Sequence, residues 1–254
     1  MEYKIISGRT VEIRRVMMDV RRMDGQARRR GTRVKGKTSL RKILANEREA
    51  VKNLARLINA NFTQGDMWLT LTYPESALPG SPEEADKQFA AVLRKLRALC
   101  RKETGKNPVY ITSPPCDADP KTGEARRLHF HVLMPAVAYE QIVKLWPAED
   151  VTYRRLDGRG DYTGIAKYIC SQSVHRPGKK RWRCSRGLKK PVYTEPVPVR
   201  AGERVYIPRN ASLKEKADMV DAETGMSSVY VRYTRARGTR AVEDAGPYKA
   251  PPGS

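Results

Sequence analysis

The sequence predicts an α+β fold in which helices cover one face of an antiparallel sheet. Three kinds of signal predict it: alternating apolar residues typical of strands, apolar residues at helical spacing, and capping signals at helix starts. The predicted strands are 67–73, 107–113, 128–134 and 150–156, and the helices among them are 81–100 and 139–146. The order strand, helix, strand, strand, helix, strand is that of a split βαβ, or ferredoxin-like, sandwich.

A longer helix is predicted ahead of this sandwich. Ser39 is its predicted N-cap, and it ends before the turn signal TQGD at 63–66. The apolar residues at helical spacing are Leu40, Leu44, Val51, Leu54, Ala55, Ile58 and Phe62. This spacing predicts a helix over 40–62.

The sandwich begins with MWLTLTY at 67–73, which alternates large apolar residues with threonines. The helix that follows has Ser81 as its N-cap, Pro82 at its first position and Glu84 where a capping box is completed. Its predicted buried stripe consists of Phe89, Val92, Leu96 and Leu99. These signals place a helix directly after the first strand, as the sandwich requires.

Two of the three histidines of the chain lie one residue apart in the segment LHFHVLM, 128–134. On a strand, side chains at i and i+2 project from the same face, so His129 and His131 can converge on one ion. Phe130 then faces the helix-packed core, and the histidines face the open side of the sheet. In this topology the first and third strands are neighbours, so 67–73 and 128–134 should pair.

The composition points to a polyanionic partner. The chain has 254 residues and a formal net charge of +22, with 39% hydrophobic and 31% charged residues. A hydrophobic core can therefore form beneath a strongly basic surface. Such a charge favours nucleic acid, because each phosphate neutralised by Lys or Arg releases a counterion. The alternative is a solvated basic surface without a partner.

The predicted organisation has three parts. A basic N-terminal extension occupies 1–38, a folded domain with its leading helix 39–198, and a C-terminal extension with short strand-like pieces 199–254. The N-terminal residues that fit contact with a DNA backbone are Arg28, Arg29, Arg30 and Arg33.

The sequence also predicts a cytoplasmic protein. Its cysteines form no CxxC pair, which is typical of reduced thiols, and they are Cys100, Cys116, Cys170 and Cys184. No apolar run approaches the ~20 residues of a membrane span. The start MEYKIISGRT lacks the apolar centre of a secretory signal.

The segment LHFHVLM resembles the two-histidine motif of HUH endonucleases, the replication initiators and relaxases that nick single-stranded DNA. WLTLTY at 68–73 resembles the first motif of that family, and DYTGIAKYICSQ at 161–172 resembles the third, in which a helix carries a tyrosine. KKRWRCSRGLKKP at 179–191 is similar to a segment of replication-associated proteins of bacterial single-stranded DNA phages and rolling-circle plasmids. The resemblance extends over roughly 59–191, and the three motifs together are specific.

The resemblance implies a replication initiator that nicks and rejoins DNA at an origin through a covalent 5′-phosphotyrosine. Tyr168 matches the family's tyrosine, and Tyr162 is expected to be structural. A phenol of pKa about 10 needs activation, and the phosphate needs a polarising cation, which His129 and His131 are expected to hold. A host helicase and polymerase are the expected partners, since the sequence shows no GxxxxGK[ST] loop.

Two features depart from the family pattern. Relatives commonly have a lysine three or four residues after the nucleophile, where this chain has Ser171 and Gln172, so Gln172 is the expected substitute. The strand before the histidines has no acidic residue to act as a third ligand, and the nearest candidates are Asp117 and Cys116. Two imidazoles with an oxygen ligand favour Mg²⁺ or Mn²⁺, the expected cofactor, whereas a set that includes Cys116 favours Zn²⁺.

A basic segment with one aromatic residue follows the predicted tyrosine helix. This mixture suits neutralisation of a DNA backbone together with base stacking, the alternative being a solvated basic loop. The residues predicted to bind DNA are Lys179, Lys180, Arg181, Trp182, Arg183, Arg186 and Lys189, and Lys190 extends the run.

Two other interpretations belong to different functional classes. A non-catalytic ferredoxin-like sheet that binds single-stranded nucleic acid would rely on exposed aromatic residues, and the chain has only three Phe. A Zn-stabilised structural domain would be expected to contain paired cysteines. The enzyme interpretation is favoured on both counts.

Overall fold

The computed structural model describes residues 1–17, 40–118, 122–146, 150–172, 180–200, 202–220 and 226–238. It divides the chain into a terminal unit, Met1–Arg48 with Lys190–Ser254, and a central unit, Glu49–Lys189. The helices are α1 (Leu40–Asn61), α2 (Pro82–Thr104), α3 (Tyr139–Leu145) and α4 (Thr163–Ser171). The strands are β1 (Glu2–Ser7), β2 (Thr10–Met17), β3 (Met67–Thr72), β4 (Ile111–Thr112), β5 (Cys116–Ala118), β6 (Ala125–Met134), β7 (Val151–Arg155), β8 (Arg183–Cys184), β9 (Val192–Tyr193), β10 (Ser212–Val220) and β11 (Ser227–Thr234).

The sheet of the central unit has the strand order β7–β3–β6–β4–β8, with β5 paired to β6. All of these pairs are antiparallel. With α2 between β3 and β4 and α3 between β6 and β7, this is the predicted ferredoxin-like order. The predicted neighbours β3 and β6 pair, with Thr70 opposite His131 and Thr72 opposite His129. The predicted fold class is therefore confirmed.

Helices α2 and α3 pack on one face of this sheet. Ser81 Oγ accepts a hydrogen bond from the Glu84 amide at 3.1 Å, as expected of an N-cap. The Glu84 carboxylate accepts from the Gly80 amide at 2.8 Å rather than from that of Ser81. The side chains of α2 that are buried on this face are Ala85, Phe89, Val92, Leu96 and Cys100, while the predicted Leu99 is half-buried.

The opposite face of the sheet is partly covered, which corrects the prediction of an open face. Helices α1 and α4 cover it with a second apolar cluster, which consists of Leu54, Ala55, Ile58, Phe62, Ile111, Leu133, Leu156, Tyr162, Ala166, Ile169 and Cys170. On β6 this cluster includes Leu133, two residues from His131. The split βαβ pattern does not predict this layer, because both covering helices lie outside the repeat.

Helix α1 confirms the predicted helix, but only its second half is buried. Leu54 and Ile58 are inaccessible to solvent, whereas Leu44 is 44% exposed. The apolar spacing therefore extends further along the helix than the packing does. The predicted cap Ser39 lies outside the described residues. No helix in the described ranges is long and apolar enough to span a bilayer.

The terminal unit contains a five-stranded antiparallel sheet in the order β10–β11–β2–β1–β9. Both ends of the chain contribute to it, because β2 pairs with β11 from Thr10 opposite Thr234 to Met17 opposite Ser227. The two extensions are therefore more regular than predicted. Local patterns do not predict these pairings, since the partners are far apart in sequence and β10 is almost entirely exposed.

Candidate metal and tyrosine site

Strand β6 directs His129 and His131 to the same face of the sheet, as the strand parity predicts. Their ring centroids lie 4.9 Å apart, and the residues are 8% and 4% exposed. Phe130, between them, is fully buried on the other face and stacks on Phe89. The two imidazoles therefore form a buried pair, not the solvated pair that an open face would hold.

The His129 ring uses one nitrogen for a backbone contact. Its Nδ1 lies 2.7 Å from the Arg127 carbonyl oxygen, which can only accept, so Nδ1 carries the proton. Burial lowers the pKa of His129; the Arg127 carbonyl opposes this shift, and the charge of Arg126 adds to it. The neutral ring therefore presents the lone pair of Nε2, which is the form that binds a metal ion.

His131 lies at the centre of the site. Its Nδ1 is 3.1 Å from Thr70 Oγ1, and its Nε2 is 3.2 Å from the Tyr168 hydroxyl. The Trp68 indole stacks on the imidazole at 4.8 Å, with 13° between the ring planes. Burial lowers the pKa of His131 to about 3, with a further decrease from His129, so this ring is also neutral at physiological pH.

Helix α4 carries Tyr168 to the histidines. The tyrosine is 36% exposed, and its ring meets that of His131 edge-on at 5.0 Å. Tyr162, the residue before α4, is buried, and its hydroxyl donates to the Asp157 carbonyl at 2.7 Å. The phenol beside the imidazoles is thus that of Tyr168.

Cys116 completes a group of three metal-binding side chains. It lies on β5 opposite His129, and one ligand atom each from Cys116, His129 and His131 lie within 4.8 Å of one another. The buried thiol donates to the Pro114 carbonyl at 3.2 Å. Asp117, the other predicted candidate, is exposed, and its charge opposes the decrease in the pKa of His129.

Two grooves meet at this site, and Thr70, His131 and Tyr168 line both of them. The larger groove has a volume of about 770 Å³ and also includes Trp68. The smaller groove, of about 410 Å³, includes His129. The arginines that line them are Arg154, Arg155 and Arg159 in the larger groove and Arg126 and Arg127 in the smaller one. An extended polyanion can therefore meet cationic side chains on both sides of Tyr168.

Gln172, predicted to assist Tyr168, occupies a buried position at the end of α4. It is 6% exposed and is not among the described residues that line either groove. Its Nε2 atom is buried without a hydrogen-bond partner in the described part of the chain. The adjacent Ser171 hydroxyl donates to the Tyr168 carbonyl at 2.8 Å. Neither residue thus takes the place of a lysine facing the grooves.

The residues of the predicted DNA-binding segment differ in their exposure and in their contacts. Trp182 is half-buried against the second apolar cluster, so base stacking by its indole would require it to leave that packing. Arg183 forms a bidentate ion pair with Asp86, at 3.0 and 2.6 Å. Lys180, Arg186, Lys189 and Lys190 are exposed, and Arg181 is half-buried. The predicted residues that lie outside the described ranges are Lys179, Arg28, Arg29, Arg30 and Arg33.

Trp68 and Thr70 belong to the site, although the sequence analysis placed them only in the motif WLTLTY and gave neither residue a role. The sequence does contain a signal in β3, because Met67, Leu69 and Leu71 alternate with a second set of residues. Because β3 lies beside β6, the half-buried set, which includes Trp68, Thr70 and Thr72, shares the histidine face. The groove arginines had no comparable signal among the 50 Lys and Arg residues of the chain.

Imidazole, thiol and phenol groups within one site can hold a divalent cation and present a nucleophile beside it. The fit is supported by the backbone bond at His129 Nδ1, which keeps the lone pair on Nε2. No family model, no curated protein and no solved structure matches this chain. Its function is therefore inferred from the geometry of this site.

Proposed function

We propose that this protein nicks and rejoins single-stranded DNA at an origin through a covalent bond to Tyr168, and so starts rolling-circle replication. The observation that supports this most strongly is the 3.2 Å contact between the Tyr168 hydroxyl and His131 Nε2, with His129 alongside. The ferredoxin-like strand order beneath the site is the one expected of an HUH endonuclease. The proposed class is thus a metal-dependent, site-specific DNA endonuclease and strand transferase.

The proposed reaction is a transesterification at one phosphodiester. Tyr168 Oη attacks the phosphorus, a new O–P bond forms, and the bond from phosphorus to the 3′ oxygen of the preceding nucleotide breaks. The phenol loses its proton and the departing oxygen gains one, so the strand carries a free 3′-OH and a 5′-phosphotyrosine. Attack of a 3′-OH on the phosphotyrosine reverses these changes and rejoins the strand.

His131 Nε2 lies beside the phenol in the metal-free site, but it would not act as the base that takes the phenol's proton. The pKa of His131 is about 3, whereas that of an ordinary phenol is about 10. Complete proton transfer from a phenol to so weakly basic a ring is strongly unfavourable. A base other than His131, such as water, therefore takes the proton, and the lone pair of His131 Nε2 can serve the cation instead of the phenol.

His129 and His131 would hold the divalent cation, and with an oxygen as the third ligand they would suit Mg²⁺ or Mn²⁺. When bound, such a cation polarises the phosphate and stabilises charge on the leaving oxygen. Both rings have a lowered pKa, so no proton competes for their ligand nitrogens at neutral pH. The protein's own contribution is thus to present neutral, oriented imidazoles.

Single-stranded DNA is the proposed substrate because arginines flank Tyr168 in both grooves. The net charge of +22 supports a polyanionic substrate without specifying its sequence. A host helicase and polymerase would separate and extend the strands, and the cytoplasm of a bacterial host is the proposed location.

Incubation of the protein with Mn²⁺ and a labelled pool of single-stranded oligonucleotides of random sequence tests the proposal. A covalent adduct is expected in a denaturing gel, lost in Tyr168→Phe and retained in the matched control Tyr162→Phe. His129→Ala and His131→Ala should lose the adduct while DNA binding persists. An adduct that survives Tyr168→Phe would overturn the choice of nucleophile. DNA binding with no adduct in the wild type would favour the non-catalytic nucleic-acid-binding alternative.

A further inference from the structure

We propose that Cys116 is a third protein ligand for the cation at His129 and His131, so that this site prefers thiolate-binding cations such as Zn²⁺ to Mg²⁺. The inference rests on the proposed function only for the role of the cation beside Tyr168. Metal binding itself can be measured without DNA, so the two proposals can fail separately.

The pairing of β5 with β6 places the thiol against an imidazole. Cys116 is the register partner of His129, and directly opposed residues project from the same face with Cβ atoms about 4.5–5.5 Å apart. Cys116, His129 and His131 are all buried, and their ligand atoms lie within 4.8 Å of one another. Among the described residues, no other group of His, Cys, Asp or Glu meets this condition. Suitable ligand types whose donor atoms converge are what a metal site requires.

The distances suit a ligand-free site that contracts around a cation. Zn–S bonds of about 2.3 Å and Zn–N bonds of about 2.0–2.1 Å in tetrahedral geometry bring ligand atoms to roughly 3.4–3.6 Å from one another. A spread of up to 4.8 Å therefore requires shifts on the order of 1 Å. Rotation of the thiol away from the Pro114 carbonyl, 3.2 Å from Sγ, can provide such a shift. As the sulfur–metal bond forms, the thiol releases its proton to solvent.

The carboxylate alternative is less well placed. Asp117 is exposed and does not belong to the three-residue group. A carboxylate in this position would favour the hard cations Mg²⁺ and Mn²⁺, whereas thiolate with imidazole favours Zn²⁺. Three protein ligands also leave a fourth position open, as catalytic zinc sites do, so a phosphate oxygen can still bind.

Titration of the full-length, metal-free protein with Co²⁺ alone tests the ligand directly. We expect a near-ultraviolet thiolate-to-cobalt charge-transfer absorption that saturates at one Co²⁺ per chain and is displaced by Zn²⁺ but not by Mg²⁺. Cys116→Ser should lack this band, and Cys184→Ser, which removes an exposed thiol, should retain it. Absence of the band in the wild type, or its persistence in Cys116→Ser, would overturn the proposal.

X-ray absorption at the zinc edge makes the test independent of any variant. The wild-type protein loaded with one Zn²⁺ per chain is expected to show one sulfur and two imidazoles in the coordination sphere. A sphere of nitrogen and oxygen only would exclude Cys116 as a ligand, whether or not Cys116→Ser folds.

Cys116→Asp separates this proposal from the nuclease proposal. The variant should lose at least about 10-fold in Zn²⁺ affinity, since loss of even a hydrogen-bond partner of a metal-ligating histidine costs ~10–100-fold. Its affinity for Mn²⁺ should rise relative to Zn²⁺. An adduct with Mn²⁺ but no cobalt–thiolate band in the wild type would retain the nuclease and reject Cys116. A band without an adduct under any metal would retain the ligand and reject the nuclease.

Discussion

The two faces of the central sheet differ in what covers them. On one face, α2 and α3 enclose a continuous apolar core that contains Phe130 and Val132 of β6. On the other face, α1 and α4 cover the part around Leu133, and the adjoining part carries His129 and His131. One strand therefore supplies core side chains to one face and candidate ligands to the other.

This difference shows that a candidate functional site can be as tightly packed as the core. The imidazoles are almost as inaccessible as the core phenylalanine between them, and each is oriented by a named partner. What distinguishes the site face is the polar character of its neighbours, such as Thr70 and Tyr168. The following experiments test whether the apolar face mainly supports stability and the histidine face mainly supports the proposed chemistry.

Phe130→Ala should have the largest effect on stability, because it opens a cavity on the closed face. The fully buried ring stacks on Phe89 at 4.1 Å, and its removal is expected to lower the free energy of unfolding by about 3–5 kcal/mol. His131→Asn, one residue away, should abolish the DNA adduct with less than half that loss of stability. Urea denaturation measures the stability of both variants. Equal losses of stability would contradict the conclusion that His131 contributes less to the core than Phe130 does.

Acidification should destabilise the metal-free protein because the buried His131 ring resists protonation in the folded state. The folded-state pKa of His131, about 3, lies below the unfolded value of about 6.5, so the unfolded chain binds more protons between these values. The stability due to the neutral ring is complete above about pH 6.5 and is lost as the pH falls toward 3. At about pH 4.5 the expected loss is about 2–3 kcal/mol. The free energy of unfolding, measured by urea denaturation, should fall by this much more in the wild type than in His131→Asn when the pH is lowered to about 4.5. Identical pH profiles for the two proteins would show that the ring has an ordinary pKa.

Thr70→Val removes the oxygen that lies 3.1 Å from His131 Nδ1 and keeps the shape of the side chain. Loss of such a partner typically costs 10–100-fold in metal affinity, and we expect about 10-fold because the ring also bonds to the Leu69 backbone. Co²⁺ titration measures the change, and Thr70→Ser should restore the affinity. Unchanged binding by Thr70→Val would mean that stacking on Trp68 is sufficient to orient the ring.

Arg126→Gln combined with Arg154→Gln should produce the smallest effect, a weaker salt dependence of DNA binding. Each lost phosphate contact lowers the slope of log affinity against log salt by about 0.7 for a single strand. The matched control, Arg94→Gln with Arg101→Gln, removes two exposed arginines of α2 and should leave the slope unchanged. Fluorescence anisotropy at several salt concentrations gives the slopes. Equal slopes in the two double variants would argue against a DNA path through the grooves.

The fold and the centre of the site could be predicted because they depend on short-range patterns. Strand parity is enough to set His129 and His131 on one face, whereas Tyr168 was singled out by the resemblance of 161–172 to a family motif. The strand order follows from the sequence of elements, since a split βαβ unit permits few arrangements. These predictions did not require knowledge of distant contacts.

The remainder depends on contacts between distant segments. The partial burial of Trp182 could not be predicted, because the residues around it are basic and indicate an exposed segment, while its side chain packs against the second apolar cluster. The choice between Cys116 and Asp117 depends on the register of β5 against β6, which composition does not reveal. The sheet of the terminal unit joins both ends of the chain, so no local window contains its signal.

The alternation along β6 makes its length critical. Because successive side chains point to opposite faces of the sheet, a one-residue shift in this strand would turn Phe130 toward the site face and His131 toward the apolar core. An imidazole would then be buried in the apolar core, and a phenyl ring would take the place of a candidate ligand. A single insertion or deletion in β6 would therefore be expected to destabilise the fold and disrupt the candidate site at the same time.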